Sequence, residues 1–301
     1  MSAEVKLART AGERDHAGAA QSGIAAAFAR CRAAGRAALI PFITAGYPSL
    51  EMSRRLIPAL VEGGADLIEI GVPFSDPLAD GATIQRASQV ALEQGTTLRD
   101  CLELVRESRA SGVTVPILLM GYLNPFYQYG LEALARDAAE AGVDGFIIPD
   151  LPLEESDEVL EPLRRYGRDL IFLVAPTSTD ARIMEVARRG SGFIYCVSLT
   201  GVTGARDRLS EELPAYIARV RSHTELPLAI GFGISRPEHV RQAAELADGV
   251  IVASALINHL DQLPPEAWEG AATAFVRELA AAAVRAGGAS GNGAEDGHTE
   301  Q

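Results

Sequence analysis

The chain has 301 residues, of which 48% are hydrophobic, 22% charged and 6% aromatic. This composition is typical of a folded globular protein and excludes a disordered or collagen-like chain. The 27 basic and 40 acidic residues give a formal net charge of −13. Since no lysine–arginine cluster exceeds a doublet, a nucleic-acid groove and an anionic-membrane contact are both disfavoured.

Cysteine and lysine usage excludes further classes of protein. Cys31, Cys101 and Cys196 are odd in number and far apart, which fits neither a disulfide framework nor a CxxC metal site. The single lysine, Lys6, lies in a polar N-terminal stretch, whereas Schiff-base aldolases and enzymes that hold pyridoxal phosphate covalently need a buried lysine. No apolar run approaches the roughly 20 residues of a membrane span, and no signal-peptide core is present. We therefore expect a cytoplasmic protein.

Between two polar tails, residues 1–22 and 286–301, the chain repeats one pattern: a short apolar run, a turn and a helical stretch. Both tails are predicted to be flexible, and the second is acidic. Near-continuous apolar runs are typical of parallel strands buried on both faces, and they predict strands at Ala38–Thr44, Leu67–Gly71, Val115–Met120, Gly145–Pro149, Leu170–Ala175, Phe193–Val197, Leu226–Gly231 and Gly249–Ala253. The helices predicted between them include Leu50–Glu62, Leu98–Ser111, Leu131–Ala141, Leu153–Tyr166, Ala181–Arg189, Glu211–Ser222 and Pro237–Ala247.

Eight strand–helix units in about 250 residues predict an α/β fold, a (β/α)8 TIM barrel over residues 23–285. A doubly wound open sheet is the alternative. An additional helix before the first strand, Ile24–Ala34, is expected to cover the bottom of the barrel. In barrels of this kind the active site lies at the C-terminal ends of the strands, so polar residues within or just after the apolar runs are the candidates for chemistry.

The second predicted strand, LIEIG, carries Glu69 in its middle. Desolvating a carboxylate is costly, so a buried glutamate is either paired or retained for chemistry with a raised pKa. No arginine lies in a predicted strand, which disfavours a buried ion pair. The following loop, VPFSDPLADG, carries Asp76 and Asp80 ahead of a helix that begins near Thr83, so turn or helix capping is the alternative for both. Two carboxylates in different environments can divide acid and base work, which favours a catalytic Asp80 beside Glu69.

Glycine-rich loops follow the last three predicted strands, in SLTGVTGARD, GFGISRPE and ASALI. The late loops of such barrels bind phosphate through backbone N–H groups and helix dipoles. Gly204, Gly233 and Ser254 are the predicted contributors, although glycine is also ordinary turn chemistry. None of the five histidines lies at the C-terminal end of a predicted strand, so no metal site is predicted.

Six segments, in order, resemble the tryptophan synthase alpha subunit family: IPFITAGYP, LIEIGVPFSDPLADGATIQRA, MGYLNP, FIIPDLPLEES, SLTGVTGAR and IGFGIS. The resemblance runs from about Leu39 to Ile257 and covers all eight units. It implies cleavage of indole-3-glycerol phosphate to indole and glyceraldehyde 3-phosphate. Glu69 and Asp80 match the family's catalytic carboxylates. The first would exchange protons with the substrate, and the second would stabilise positive charge on the indole ring.

The resemblance also implies substrate-binding residues. Tyr195 aligns with an active-site tyrosine of the family, although an aromatic ring near a strand end is as often packing. The other implied positions for substrate or phosphate are Gly204, Phe232, Gly233, Ala253 and Ser254. Ala253 departs from the Gly-Ser pair associated with the eighth strand, and its added methyl is expected to crowd the loop.

The family's alpha subunit docks on a beta subunit that holds pyridoxal phosphate, so the resemblance implies an α2β2 tetramer and no cofactor in this chain. The loops PFSDPLADG, with Asp76, and GYLNPFYQYG, with Asn124, are predicted to contact the beta subunit, with ordinary loop packing as the alternative. Two other functions stay open: another phosphate-binding barrel enzyme of the same pathway, or a non-catalytic regulatory subunit. The presence of Glu69 and Asp80 argues against the second.

Overall fold

The computed structural model describes residues 22–197, 211–231 and 233–285, in which eight strands close into a barrel. Each strand pairs in parallel with the next, and the eighth pairs with the first. The predicted (β/α)8 barrel is confirmed, and the doubly wound sheet is wrong. The strands are β1 Ala38–Thr44, β2 Ile68–Gly71, β3 Ile117–Met120, β4 Gly145–Ile147, β5 Asp169–Val174, β6 Ile194–Val197, β7 Leu228–Gly231 and β8 Gly249–Val252.

The helices of the described residues are α1 Gly23–Ala33, α2 Leu50–Gly63, α3 Ala82–Glu93, α4 Leu98–Ala110, α5 Leu123–Tyr129, α6 Leu131–Ala141, α7 Asp157–Arg165, α8 Asp180–Arg189, α9 Leu213–Arg221, α10 Pro237–Leu246, α11 Ser254–Leu260 and α12 Trp268–Ala282. The predicted helix Leu153–Tyr166 is a 3₁₀ turn, Leu153–Glu155, followed by α7. Helices α5, α11 and α12 were not predicted. None of the helices in the described ranges is long and apolar enough to cross a membrane.

Local sequence signals set the helix ends. The Ser49 side chain accepts the Met52 N–H at the start of α2, and the helix ends at Gly64, whose φ of +103° is the left-handed conformation that glycine adopts most readily. Thr97 and Asp100 form a reciprocal capping box at the start of α4. These caps satisfy backbone groups that have no partner inside the helix, so the strand–helix boundaries are defined locally.

Helix α1 covers the bottom of the barrel, as predicted. Its Ile24, Phe28 and Cys31 are buried against the side chains that fill the barrel interior. The Phe28 ring lies 5.4 Å from the ring of Phe193, centroid to centroid. The interior is therefore a packed apolar core at its lower end, which leaves the C-terminal ends of the strands as the place for a cavity.

Three aspartates just before β2, β4 and β8 join neighbouring strands at the bottom of the barrel. Each carboxylate accepts a backbone N–H from an adjacent strand and pairs with an arginine. The sets are Asp66 with the Leu39 N–H and Arg36, Asp144 with the Ile117 N–H and Arg109, and Asp248 with the Leu228 N–H and Arg221.

The assignment of residues 23–285 to one domain and of the two ends to flexible tails stays a prediction. Residues 1–21 and 286–301 lie outside the described residues. Lys6 lies there too, so the described barrel is built without any lysine.

The strand-joining aspartates are expected to dominate stability at the bottom of the barrel. Asp144→Ala removes an acceptor 2.8 Å from the Ile117 nitrogen and 2.6 Å from the Arg109 guanidinium. Because buried donors left without a partner are costly, the free energy of unfolding should fall by about 2–3 kcal/mol. Glu132→Ala, which removes the exposed pair with Arg165, is the control and should cost less than about 1 kcal/mol. Urea denaturation measures both, and equal losses would contradict the expectation.

Candidate active site

A cavity of about 100 Å³ lies at the C-terminal ends of the strands. Inward-facing side chains of β1, β2, β3, β6 and β8 form its floor, and residues after β2, β7 and β8 form its walls. The cavity brings together six of the residues that the sequence singled out, namely Glu69, Asp80, Tyr195, Gly233, Ala253 and Ser254. Residues more than 180 positions apart in the chain therefore face one space.

Glu69 sits in the middle of β2 with 1% of its surface exposed. Its Oε2 atom has no hydrogen-bond partner within the described part of the chain, and none of the ion pairs described there includes it. Burial raises the pKa of Glu69 to about 8, and the charge of Asp80 raises it further in the same direction. The carboxyl group therefore carries a proton at neutral pH, as expected for a buried acid without a cation.

Asp80 lies between the loop after β2 and the first residue of α3. The N-cap of α3 is Gly81, with no side-chain capping bond, so helix capping by Asp80 is not observed. Its Oδ2 atom instead accepts a hydrogen bond from the Tyr122 hydroxyl at 3.1 Å. Burial raises the pKa of Asp80 to about 6, and the Tyr122 bond opposes that rise. At neutral pH Asp80 is mostly ionised while Glu69 is mostly protonated.

Tyr122 holds the Asp80 loop at two points, and the sequence analysis did not single it out. Its oxygen also accepts the backbone N–H of Ala79 at 3.0 Å, and its ring stacks on Phe74 with centroids 5.2 Å apart. Phe74 and Ala79 flank the loop on either side of its exposed tip. The available signal was its place just after a strand, in MGYLNP, where functional side chains of such barrels lie.

Tyr195 and Phe42 are aromatic side chains that enter the barrel from β6 and β1. A Cβ on Gly231 would overlap the hydroxyl end of Tyr195, and a Cβ on Gly71 would overlap the ring of Phe42. Each ring therefore occupies space left by a glycine on the neighbouring strand. Burial raises the pKa of Tyr195, and the charges of Glu69 and Asp80 raise it further, so Tyr195 is a neutral hydroxyl in this cavity.

The late loops contribute backbone and hydroxyl groups to the same cavity. Gly233 adopts a φ of +78°, a left-handed conformation that a larger side chain would strain. Ala253 is the N-cap of α11 and Ser254 its first residue. The two remaining predicted positions, Gly204 and Phe232, lie outside the described residues. The expected crowding of the loop by the Ala253 methyl stays a prediction.

Asp76 and Asn124 do not line the cavity, and both residues are exposed. Asp76 accepts a hydrogen bond from the Ser75 hydroxyl at 2.5 Å, and Asn124 is in the first turn of α5. Near them Leu78 is 93% exposed and Tyr127 is 51% exposed.

Metal binding has no support within the described residues. No group of three or more His, Cys, Asp or Glu side chains there is placed to hold a metal ion. The three cysteines are buried free thiols. The polar groups of the cavity are thus two carboxylates, a phenol and the polar groups of the late loops.

Comparison with known proteins identifies the family. Residues 28–284 match the family model described as tryptophan synthase alpha chain. The tryptophan synthase alpha chain of Roseiflexus sp. (strain RS-1) is 58% identical over 258 residues, which cover 86% of this chain and 99% of the relative. The tryptophan synthase alpha chain of Chloroflexus aurantiacus is 54% identical over 264 residues, which cover 88% of this chain and 99% of the relative.

Solved structures agree with the sequence relatives. A chain of the Mycobacterium tuberculosis tryptophan synthase structure in space group F222 superposes with a TM-score of 0.81 at 40% identity, covering 88% of this chain and 99% of that one. The tryptophan synthase subunit alpha of Legionella pneumophila gives a TM-score of 0.80 at 38% identity, covering 87% and 98%. The family predicted from the six sequence segments is confirmed: the chain belongs to the tryptophan synthase alpha chain family.

Proposed function

We propose that this chain is a lyase that cleaves indole-3-glycerol phosphate to indole and glyceraldehyde 3-phosphate by acid–base catalysis. The observation that carries the proposal is the pair of carboxylates in one cavity, one with its pKa raised to about 8 and the other to about 6. The only lysine is Lys6, so a Schiff-base route has no nucleophile in the barrel. The retro-aldol cleavage of this substrate needs proton transfer and charge stabilisation, which these two carboxylates supply.

Glu69 is the proposed proton carrier. Its protonated carboxyl group donates a proton to C3 of the indole ring, which leaves an iminium cation and a carboxylate. The carboxylate then removes the proton of the hydroxyl group on the carbon bound to C3. As the carbonyl forms, the carbon–carbon bond breaks and its electron pair returns to the ring, which neutralises the iminium. A pKa near neutrality lets one group act as acid and then as base.

Asp80 is the proposed electrostatic partner. As an ionised carboxylate it accepts the indole N–H and stabilises the positive charge that develops when C3 is protonated. Tyr122 keeps this carboxylate in place through its hydrogen bond at 3.1 Å. Since most of that charge exists only after protonation, Asp80 acts mainly on the transition state.

The phosphate of the substrate is assigned to the late loops. Gly233 and Ser254 line the cavity, and backbone N–H groups bind phosphate without a basic side chain. Gly204 and Phe232 are also proposed to bind the substrate or its phosphate, and for these two residues the proposal rests on the family resemblance alone. Tyr195, in β6, and Ala253, directly after β8, line the same cavity and are proposed to contact the substrate there.

We assign a tryptophan synthase beta subunit as the partner, in an α2β2 tetramer in which pyridoxal phosphate belongs to the beta subunit and indole passes to it for tryptophan synthesis. The loop with Asp76 and the first turn of α5 with Asn124 are the proposed contact, and the exposed Leu78, on the same loop as Asp76, supports it. A cytoplasmic location accords with the buried free thiols. Neither a different barrel enzyme nor a regulatory subunit has an observation in its favour.

Replacing Glu69 with glutamine is expected to abolish catalysis without disturbing binding. Glutamine keeps the volume but cannot exchange a proton, and positioned acid–base groups contribute about 10²–10⁴-fold. Indole release by Glu69→Gln should fall by at least about a hundredfold, while calorimetric titration with glycerol 3-phosphate should give the wild-type affinity. Turnover above about a tenth of wild type would remove Glu69 from the mechanism.

The pH profile of kcat/KM is expected to be bell-shaped, because the free enzyme needs an ionised Asp80 and a protonated Glu69. Activity should rise with pH through about 6 and fall through about 8. Tyr122→Phe removes a hydrogen bond that lowers the pKa of Asp80, so the lower limb should move to higher pH. Asp80→Asn removes the lower limb, and it moves the upper limb to lower pH because the Asp80 charge raises the Glu69 pKa. If neither limb of the pH profile moved in Tyr122→Phe or in Asp80→Asn, the assignment of the lower limb to Asp80 and of the upper limb to Glu69 would be wrong.

The exposed loop tip is expected to control association with the beta subunit. Leu78→Asp should weaken the alpha–beta affinity by about tenfold or more, since burying a charge in place of an apolar side chain is costly. The isolated wild-type chain should be a monomer with weak lyase activity that rises at least tenfold on mixing with the beta subunit. Met184→Asp, on the outer helix α8 and 50% exposed, is the matched control. Equal effects of the two substitutions on affinity would locate the interface elsewhere.

A further inference from the structure

The helix α10 begins without an ordinary side-chain cap. Its N-cap residue, Arg236, makes no capping hydrogen bond from its side chain. His239 reaches back instead: its Nδ1 atom accepts the backbone N–H of Ser235 at 3.3 Å and lies 3.3 Å from the Ser235 hydroxyl oxygen. In a capping box a glutamate or glutamine at the third helical position accepts a backbone N–H in the same way. Here the residue at the third helical position is His239, and the N–H that its imidazole accepts is that of Ser235, one residue before the N-cap.

The other nitrogen of His239 has no comparable contact. The residue is 3% exposed, and its Nε2 atom has no hydrogen-bond partner among residues 22–197, 211–231 and 233–285. Because Nδ1 accepts a hydrogen bond, a neutral ring carries its hydrogen on Nε2. Leaving that buried donor unpaired costs free energy. The structure describes two polar contacts of the His239 ring, and both are with Ser235. The ring therefore acts on Ser235 as a hydrogen-bond acceptor through Nδ1.

The residue held by His239 terminates the turn that lines the cavity. Gly233 and Ile234, just before Ser235, face the space that contains Glu69 and Asp80. Gly233 has a φ of +78°, and glycine has the greatest backbone freedom of any residue. A turn that contains glycine keeps one arrangement of its N–H groups only if its ends are held. The His239–Ser235 bond holds the end that leads into α10.

We propose that His239 is a positioning residue for the phosphate of the substrate, acting through the backbone of the Gly233–Ser235 turn. The inference rests on the proposed function, in which this turn binds the phosphate. Backbone donors bind an anion well when they point at it before it arrives, because no reorganisation is then needed on binding. His239 is not among the residues that line the cavity, so its removal should weaken phosphate binding and leave the chemical step unchanged.

A pair of substitutions separates the acceptor from the bulk of the side chain. His239→Asn retains an acceptor oxygen close to the position of Nδ1, whereas His239→Leu has a similar size and no acceptor. The dissociation constants of glycerol 3-phosphate and of indole are measured by calorimetry on the full chain, together with kcat and KM for indole-3-glycerol phosphate. Val240→Ala is the packing control, since Val240 is fully buried on the same helix and has no contact with the Ser235 N–H.

His239→Leu is expected to weaken glycerol 3-phosphate binding by about tenfold and to raise KM by a similar factor, which corresponds to one lost hydrogen bond. Indole binding and kcat should stay within about twofold of wild type. His239→Asn should restore the phosphate affinity to within about threefold. Should His239→Leu fail to fold, Ser235→Pro removes the same hydrogen bond from the exposed donor side and should give the same tenfold loss.

Three results would overturn the inference: unchanged glycerol 3-phosphate affinity in His239→Leu or Ser235→Pro, a loss in His239→Leu that His239→Asn does not reverse, or an equal loss in Val240→Ala. The proposed function fails separately. If the wild-type chain released no indole from indole-3-glycerol phosphate, the lyase assignment would be wrong, while the glycerol 3-phosphate titrations would still decide the role of His239.

Discussion

The arrangement of the site depends on one buried carboxyl group that has no cation beside it. Glu69 lies inside the barrel, and desolvation favours its protonated form. The same cavity places Asp80 near the mouth, where the Tyr122 hydroxyl supports its ionised form. The difference in environment, rather than any difference in residue type, makes one carboxyl group an acid and the other an anion. A lysine or arginine next to Glu69 would remove that difference.

The two ends of the barrel have separate physical roles. At the bottom, the aspartates before β2, β4 and β8 and the helix α1 join the strands and fill the interior. At the top, the loops after β2, β3 and β7 are held by a few side-chain contacts, those of Tyr122 and His239 among them. The contacts at the bottom of the barrel stabilise the fold and so offset the free-energy cost of burying the Glu69 carboxyl group.

The sequence predicted those parts of the structure that follow from local pattern. All eight strands and most helices were found because apolar runs and turn residues are local signals. Glu69 stood out because a carboxylate interrupts such a run. Tyr122 was missed because it acts on the backbone N–H of Ala79, 43 positions away, which only the folded chain brings near. His239 was missed although Ser235 is four positions away, because histidine is not one of the usual capping residues of a helix start. Helix α12 was not predicted, although its buried residues Trp268, Ala272, Val276 and Leu279 recur at helical spacing.

The two glycines beneath the aromatic rings have a consequence for the size of the cavity. Gly231 lies against the hydroxyl end of Tyr195, and Gly71 lies against the ring of Phe42. At either site the ring and the glycine share one volume, so neither residue can be exchanged for a larger one alone. Cavity width is therefore set by pairs of positions on adjacent strands. A variant built to accept a bulkier ring system would exchange the aromatic residue for a smaller one, and only then would the facing glycine tolerate a methyl group.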